Sequence, residues 1–336
     1  MKAAIYYGVG DVRVEEVPDP QPGPKDIVVE VVFAGICGTD ISEYNIKNVG
    51  ALMPGRRFGH ELSGIVRRVG KDVKNIYEGM RVTVEPILAT RGGRRESCML
   101  GGFSQYVLVQ DTAIGYNVYP LPEAATFIDG ALVEPFSVGM HGVNTVAPKP
   151  GDRALVLGAG AIGLSALAGL KALGVEDVLV SDISSFRLEK ALQMGASAVH
   201  NPKQETMQSF LTARYGASKP QSGAIDIVID GAGVGSALLD AIDVARQDAR
   251  IGIIALHKSP IAINPYIIMS KTLTIKGSMG YTGEFAQVLG FRESGKADLR
   301  PIVTQTYPLE EINVALKTAA KVDEAIKVVI SVAKDY

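Results

Sequence analysis

A cysteine, a histidine and two glutamates occupy short segments that suggest chemistry. Cys37 lies in Gly35-Ile-Cys37-Gly-Thr39-Asp40, His60 and Glu61 in Gly59-His60-Glu61, and Glu134 in Val133-Glu134-Pro135. Thiolate, imidazole and carboxylate form a borderline-soft ligand set suited to zinc. Three protein ligands would leave one position open, as at a catalytic rather than a structural ion. The residues are far apart in the chain, so spacing alone does not make them converge. Taken singly, Cys37 reads more readily as a small buried hydrophobe, and His60 as a hydrogen-bonded core histidine.

A second constellation concerns phosphates. Leu155-Val-Leu-Gly158-Ala-Gly160-Ala-Ile162-Gly163-Leu is a Gly-x-Gly-x-x-Gly motif that follows an apolar strand pattern and opens a helix pattern. Gly158 permits a tight turn, Gly160 a close approach of backbone to a pyrophosphate, and Gly163 close packing of helix on strand. The helix start, with Ile162 in it, offers unpaired N–H groups and a positive dipole end. Asp182 stands 19 residues beyond Gly163, at the end of the next strand pattern. Its carboxylate suits a ribose diol and would repel a 2′-phosphate, which favours NAD over NADP. Asp182 also reads as a helix cap before Ser184 and Ser185. Arg187 pulls the other way, since a nearby arginine can hold a 2′-phosphate.

These residues need elements to position them. Ile27–Phe33, Gly64–Val69, Arg81–Glu85 and Phe103–Val109 are short β-branched or aromatic runs set off by Gly and Pro, which predicts a β-rich, barrel-like first part. The texture changes at Pro148–Gly151. Beyond it, strands at Arg153–Leu157, Asp177–Ser181, Ala224–Ile229, Arg250–Leu256 and Thr272–Lys276 are predicted, with helices at Ile162–Leu173 and Ser185–Met194 among them. Such alternation predicts an α/β fold with a parallel, doubly wound sheet. A helix at Leu309–Lys321 and a strand at Ala325–Ser331 close the chain, and this tail is expected to pack back on the first part.

Composition excludes other classes. The 336 residues carry 34 basic and 36 acidic side chains, a formal charge of −2, so no nucleic-acid footprint is expected. The two cysteines cannot build a disulfide scaffold and fit a reducing, cytoplasmic setting. The uncharged stretch Ala154–Leu170 is short for a membrane span of about 20 residues, and the glycine motif explains it better. No membrane partner is expected, and no signal peptide is read at the N-terminus.

In this order, GICGTD, GHE, VEPFSVGMH, GAGAIG and Asp182 resemble the zinc-dependent medium-chain alcohol dehydrogenases, most closely the polyol and 2,3-butanediol dehydrogenase branch. Thr83–Pro86, Gly101–Tyr106 and Gly277–Gly283 extend the likeness over nearly the whole chain. The resemblance implies a GroES-like catalytic domain from residues 1–137 and 280–336, with a Rossmann dinucleotide-binding domain at 138–279. It implies one catalytic zinc held by Cys37 and His60, with Glu61, Glu134 or both completing the shell. Thr39 would receive the substrate proton, Asp40 would orient the histidine, and Arg187 would sit near the adenosine ribose. A secondary alcohol, a small diol or polyol, would be interconverted with its ketone by hydride transfer to NAD in a cleft between the domains. A homo-dimer or homo-tetramer is also implied.

Two departures sharpen the expectation. Relatives carry a four-cysteine lobe for a structural zinc, whereas Glu85–Leu100 here is shortened and holds only Cys98, so no structural zinc is expected. Sorbitol-type enzymes carry an arginine where this chain reads Ser278-Met-Gly-Tyr281, which points to a smaller alcohol. A sugar phosphate, cyclitol or amino-cyclitol dehydrogenase, a zinc-free reductase of the same superfamily and a non-catalytic nucleotide-binding relative are the competing readings. His141 is expected to be structural, and His200 and His257 have no motif around them. Tyr44 and Phe58 suit either a substrate pocket or the core.

Overall fold

The computed structural model of the protein describes residues 1–46, 50–216 and 223–333. The chain divides into two compact units. The first comprises Met1–Glu134, Phe285–Glu293 and Val303–Tyr336, the second Pro135–Glu284 and Ser294–Ile302.

The first unit is built on the strand Ile27–Gly35, which is buried along most of its length. It pairs antiparallel with Glu61–Val69, with Tyr106–Val109 and with Lys327–Ser331. Arg81–Val84 and Val118–Pro120 extend the sheet beyond Glu61–Val69, and Val303–Pro308 closes its other edge. A smaller sheet joins Asp11–Glu16, Lys2–Gly8 and Arg56–Arg57. The core between them gathers Val29, Val31, Leu62, Val82, Val107 and Ile330, each burying apolar surface worth about 1.5–3 kcal/mol.

The expected strand at Phe103–Val109 is shorter than its apolar pattern. The regular strand begins at Tyr106, because Phe103 turns inward and packs edge-on against Phe58 with ring centres 4.9 Å apart. Two strands with little apolar contrast, Lys2–Gly8 and Asp11–Glu16, stand out only through their antiparallel pairing.

The second unit holds a six-stranded, wholly parallel sheet in the order Ala198–His200, Asp177–Ser181, Arg153–Leu157, Ile225–Asp230, Ala245–Ile253 and Thr274–Gly277. Chain order reverses between Arg153–Leu157 and Ile225–Asp230, which creates a topological switch point. The strand expected at Arg250–Leu256 ends at Ile253, and its start moves back to Ala245 through a register shift. The helix Ala161–Ala172 is buried from Gly163 to Leu170, so its lack of charge reflects burial against protein. Among the described residues, no helix is long and apolar enough to cross a membrane.

Candidate metal centre and dinucleotide site

Strand register brings the ligand candidates together. Gly35, at the end of Ile27–Gly35, stands opposite Glu61, the first residue of Glu61–Val69. Ile36 and Cys37 therefore leave the sheet beside His60 and Glu61. The approach is close enough that a Cβ on Gly35 would overlap the Glu61 carboxylate. Gly59 has φ of +91°, and a Cβ there would lie 2.7 Å from the Phe103 ring, so glycine is needed just before His60. One sulfur, ring-nitrogen or carboxylate-oxygen atom from each of Cys37, His60 and Glu61 lies within 4.8 Å of the others.

Cys37 caps the helix Gly38–Asn45. Its Sγ accepts the Thr39 N–H at 3.5 Å, and its own N–H donates to Asp40 Oδ2 at 2.9 Å. This reciprocal capping fixes the sulfur at the head of the helix, and Thr39 occupies the adjoining first turn. Asp40 is fully buried, and burial pushes its carboxyl up to about 6 against the opposing pull of His60. Burial would lower the His60 pKa, but the neighbouring charges of Cys37, Glu134 and Asp40 outweigh it and raise that pKa well above the usual histidine value. Asp40 Oδ1 and His60 Nδ1 are both buried without a hydrogen-bond partner.

Lys327, absent from the sequence expectations, completes the centre. It opens the strand Lys327–Ser331, and its Nζ lies 2.8 and 2.7 Å from the two Glu61 oxygens and 2.9 Å from the Ile36 carbonyl. Both side chains are almost inaccessible, at 3% and 1% exposure. Burial alone would lower the lysine pKa, yet the Glu61 charge raises it. The signal in the sequence was a lysine leading the apolar run Lys327-Val-Val-Ile, since a buried ammonium requires a partner.

Glu134 is buried in the first turn of the helix Val133–Thr145. It lies outside the 4.8 Å cluster, although its charge acts on both His60 and Lys327. Cys98 is a free, half-buried thiol whose pKa burial raises. Its carbonyl accepts the Gly59 N–H at 3.1 Å, which ties the shortened segment to the residue before His60. Tyr44 and Phe58 are both core residues, with Tyr44 Oη 3.1 Å from Asn313 Oδ1.

The donor set fits zinc. Sulfur, imidazole and carboxylate converge, and the buried, unpartnered Nδ1 of His60 beside the Asp40 charge has the form of a ligand ring awaiting its carboxylate partner.

In the second unit, the glycine motif links Arg153–Leu157 to Ala161–Ala172. Gly158 has φ of +86°, with Ala232 only 3.1 Å from where a Cβ would sit, and a Cβ on Gly163 would overlap the Gly158 carbonyl. At Gly160 the nearest atom to such a Cβ is Nη1 of Arg187, at 3.6 Å, so the guanidinium lies beside the helix start. Ile162 is partly exposed in that first turn. Asp182 Oδ2 accepts the Ala159 N–H at 2.7 Å and Oδ1 the Ser184 N–H at 2.8 Å, so one carboxylate braces the glycine loop and the start of the next helix.

The remaining histidines are paired. His141 Nδ1 lies 2.8 Å from Glu284 Oε1, His200 Nδ1 2.9 Å from Ser181 Oγ, and His257 Nε2 2.6 Å from Asp230 Oδ2.

Comparison with known proteins agrees with this layout. Residues 23–123 match the alcohol dehydrogenase GroES-like domain, and residues 161–294 match the zinc-binding dehydrogenase domain. The chain is 32% identical over 337 residues to (R,R)-butanediol dehydrogenase of Bacillus subtilis, covering 93% of this chain and 94% of that one. It is 28% identical to the sorbitol dehydrogenase of the same organism, covering 98% and 97%. The crystal structure of 2R,3R-butanediol dehydrogenase from Bacillus subtilis superposes with a TM-score of 0.88 at 29% identity, covering 99% of each chain. With a GroES-like unit carrying the cysteine–histidine–glutamate cluster and a Rossmann unit carrying the glycine motif, the chain belongs to the zinc-dependent medium-chain alcohol dehydrogenases.

Proposed function

We propose that the protein is an NAD-dependent dehydrogenase that interconverts a small secondary alcohol, a diol or short polyol, with its ketone. The observation that carries this reading is the meeting of Cys37, His60 and Glu61 within 4.8 Å. Cys37 and His60 would hold one zinc ion per chain, with Glu61 or Glu134 completing its shell and no second, structural zinc. Bound there, zinc would supply Lewis-acid polarisation of the alcohol or ketone oxygen. Lys327 already engages both oxygens of Glu61, so ligation by Glu61 would require that contact to be shared or released. Thr39, in the helix turn that Cys37 caps, would take the hydroxyl proton. Asp40 steadies Cys37 through Oδ2, and its Oδ1 would orient the imidazole.

NAD is favoured by Asp182, whose carboxylate at the strand end would repel a 2′-phosphate. Gly158, Gly160, Ile162 and Gly163 would line the pyrophosphate turn, and Arg187 the ribose. The stretch Ser278-Met-Gly-Tyr281, which lacks the arginine of the corresponding motif in sorbitol-type enzymes, favours the smaller alcohol. We place the enzyme in the cytoplasm as a homo-dimer or homo-tetramer, and sedimentation showing only a 35.6 kDa species would remove the oligomer.

The test is a panel of butanediols, polyols, amino-polyols and sugar phosphates scored by reduction of NAD and of NADP, with metal analysis of the same sample. The expected result is NADH formation with a butanediol and about one zinc per chain. A zinc-free protein inert toward every alcohol would remove the reading, and turnover confined to sugar phosphates would replace the substrate.

A further inference from the structure

Asp230, which is buried, and the partly exposed His257 form a hydrogen-bonded pair at the carboxyl edge of the parallel sheet that the reaction outlined above does not use. Asp230 ends the strand Ile225–Asp230 and is wholly inaccessible. Its Oδ1 accepts the N–H groups of Ala232 at 3.0 Å and Gly233 at 3.1 Å, and its Oδ2 lies 2.6 Å from His257 Nε2. A carboxylate only accepts, so the imidazole donates through Nε2. His257 follows the neighbouring strand Ala245–Ile253, and the Ile254 and Ala255 N–H groups bond to the Asp230 carbonyl. Every acceptor of Asp230 is therefore engaged from two adjacent loops, while the histidine side chain keeps 16% of its surface exposed.

The position of the pair gives it meaning. Asp230 is registered beside Leu157, the residue that precedes the glycine motif. Ala232, which Asp230 holds, is the residue that a Cβ on Gly158 would meet at 3.1 Å. The pair thus lies one strand across the topological switch point from the pyrophosphate turn. Asp182 follows the strand on the other side of Arg153–Leu157. If Asp182 takes the adenosine ribose, the nicotinamide half belongs over the ends of Ile225–Asp230 and Ala245–Ile253. That ring carries a positive charge when oxidised and none when reduced.

We infer that the Asp230 carboxylate, buried against His257 beside the glycine turn, reads the charge of the nicotinamide and favours the oxidised over the reduced dinucleotide. The inference rests on the NAD reading above. The carboxylate brings a negative charge, which attracts the oxidised ring and is indifferent to the reduced one. His257 is a positioning residue that aims the carboxylate and shields it from water.

The test is calorimetric titration of NAD⁺ and NADH into wild type, Asp230→Asn and His257→Lys at about pH 8.5, above the ordinary histidine range. Asparagine keeps an acceptor for the Ala232 and Gly233 N–H groups but removes the charge. NAD⁺ binding is expected to weaken about tenfold, the size of one unit charge at intermediate protein dielectric, with NADH binding held within about twofold. The ammonium of His257→Lys neutralises the carboxylate and is expected to move the ratio the same way, which preserves the test should Asp230→Asn fail to fold. Equal weakening of both dinucleotides, as a merely structural role would give, or an unchanged ratio in both variants, overturns the inference alone. A folded wild type that binds neither dinucleotide overturns the NAD reading and the inference with it.

Discussion

The ammonium of Lys327 lies within 2.8 Å of both carboxylate oxygens of Glu61, and neither side chain is more than 3% exposed. Two charges so placed are held by each other and by the Ile36 carbonyl. Removing one leaves the other buried and uncompensated. Lys327→Met is therefore expected to destabilise the protein by about 3–5 kcal/mol. Adding Glu61→Gln should recover a large part of that loss, and denaturant unfolding of the two single variants and the double variant measures the coupling.

Cys37 supplies the only sulfur of the ligand cluster among the described residues. Cys37→Ala is expected to reduce bound zinc to a small fraction of one ion per chain and to abolish alcohol oxidation. Asp40→Asn, which keeps the shape but not the charge beside His60, is expected to weaken zinc binding by about 10–100-fold. Metal analysis after dialysis against graded chelator separates the two effects.

Asp182 joins the Ala159 and Ser184 N–H groups through its two oxygens. Asp182→Asn is expected to weaken NADH binding about tenfold and to narrow any preference over NADPH, because the charge opposed to a 2′-phosphate is gone. Parallel fluorescence titrations with the two reduced dinucleotides read both effects.

Glu284 supplies the pH dependence. Burial would raise its pKa, but the Thr282 N–H at 2.7 Å, His141 and Asn144 together hold the carboxyl below its ordinary value of 4.5. A carboxylate stabilised in the folded state contributes stability at neutral pH and loses it as pH falls through its depressed pKa. Glu284→Gln is expected to cost about 1.5–3 kcal/mol at pH 7 and progressively less below pH 4.5. Thermal melts of both proteins across that range should converge on the acid side.

Much of the second unit was legible because a parallel sheet covered on both faces needs continuous apolar strands. Arg153–Leu157 and Asp177–Ser181 run over the residues their patterns mark. The first unit was less legible. Lys2–Gly8 and Asp11–Glu16 have too little contrast to read alone, and Phe103 reads as strand although it turns into the core. Cys37 and His60 could be named from their segments, but their convergence depends on the Gly35–Glu61 register, which no local pattern encodes. Lys327 was missed because its meaning lies in a partner 266 positions away.

The register of Lys327–Ser331 against Ile27–Gly35, with Val329 opposite Gly35, means that the cation for Glu61 arrives on a strand 266 positions further along the chain. A nascent or clipped chain lacking that strand would enclose Glu61 with no counter-ion. Cys37 and His60 would remain there beside an uncompensated acid, so the integrity of the ligand cluster is tied to pairing between strands far apart in the chain.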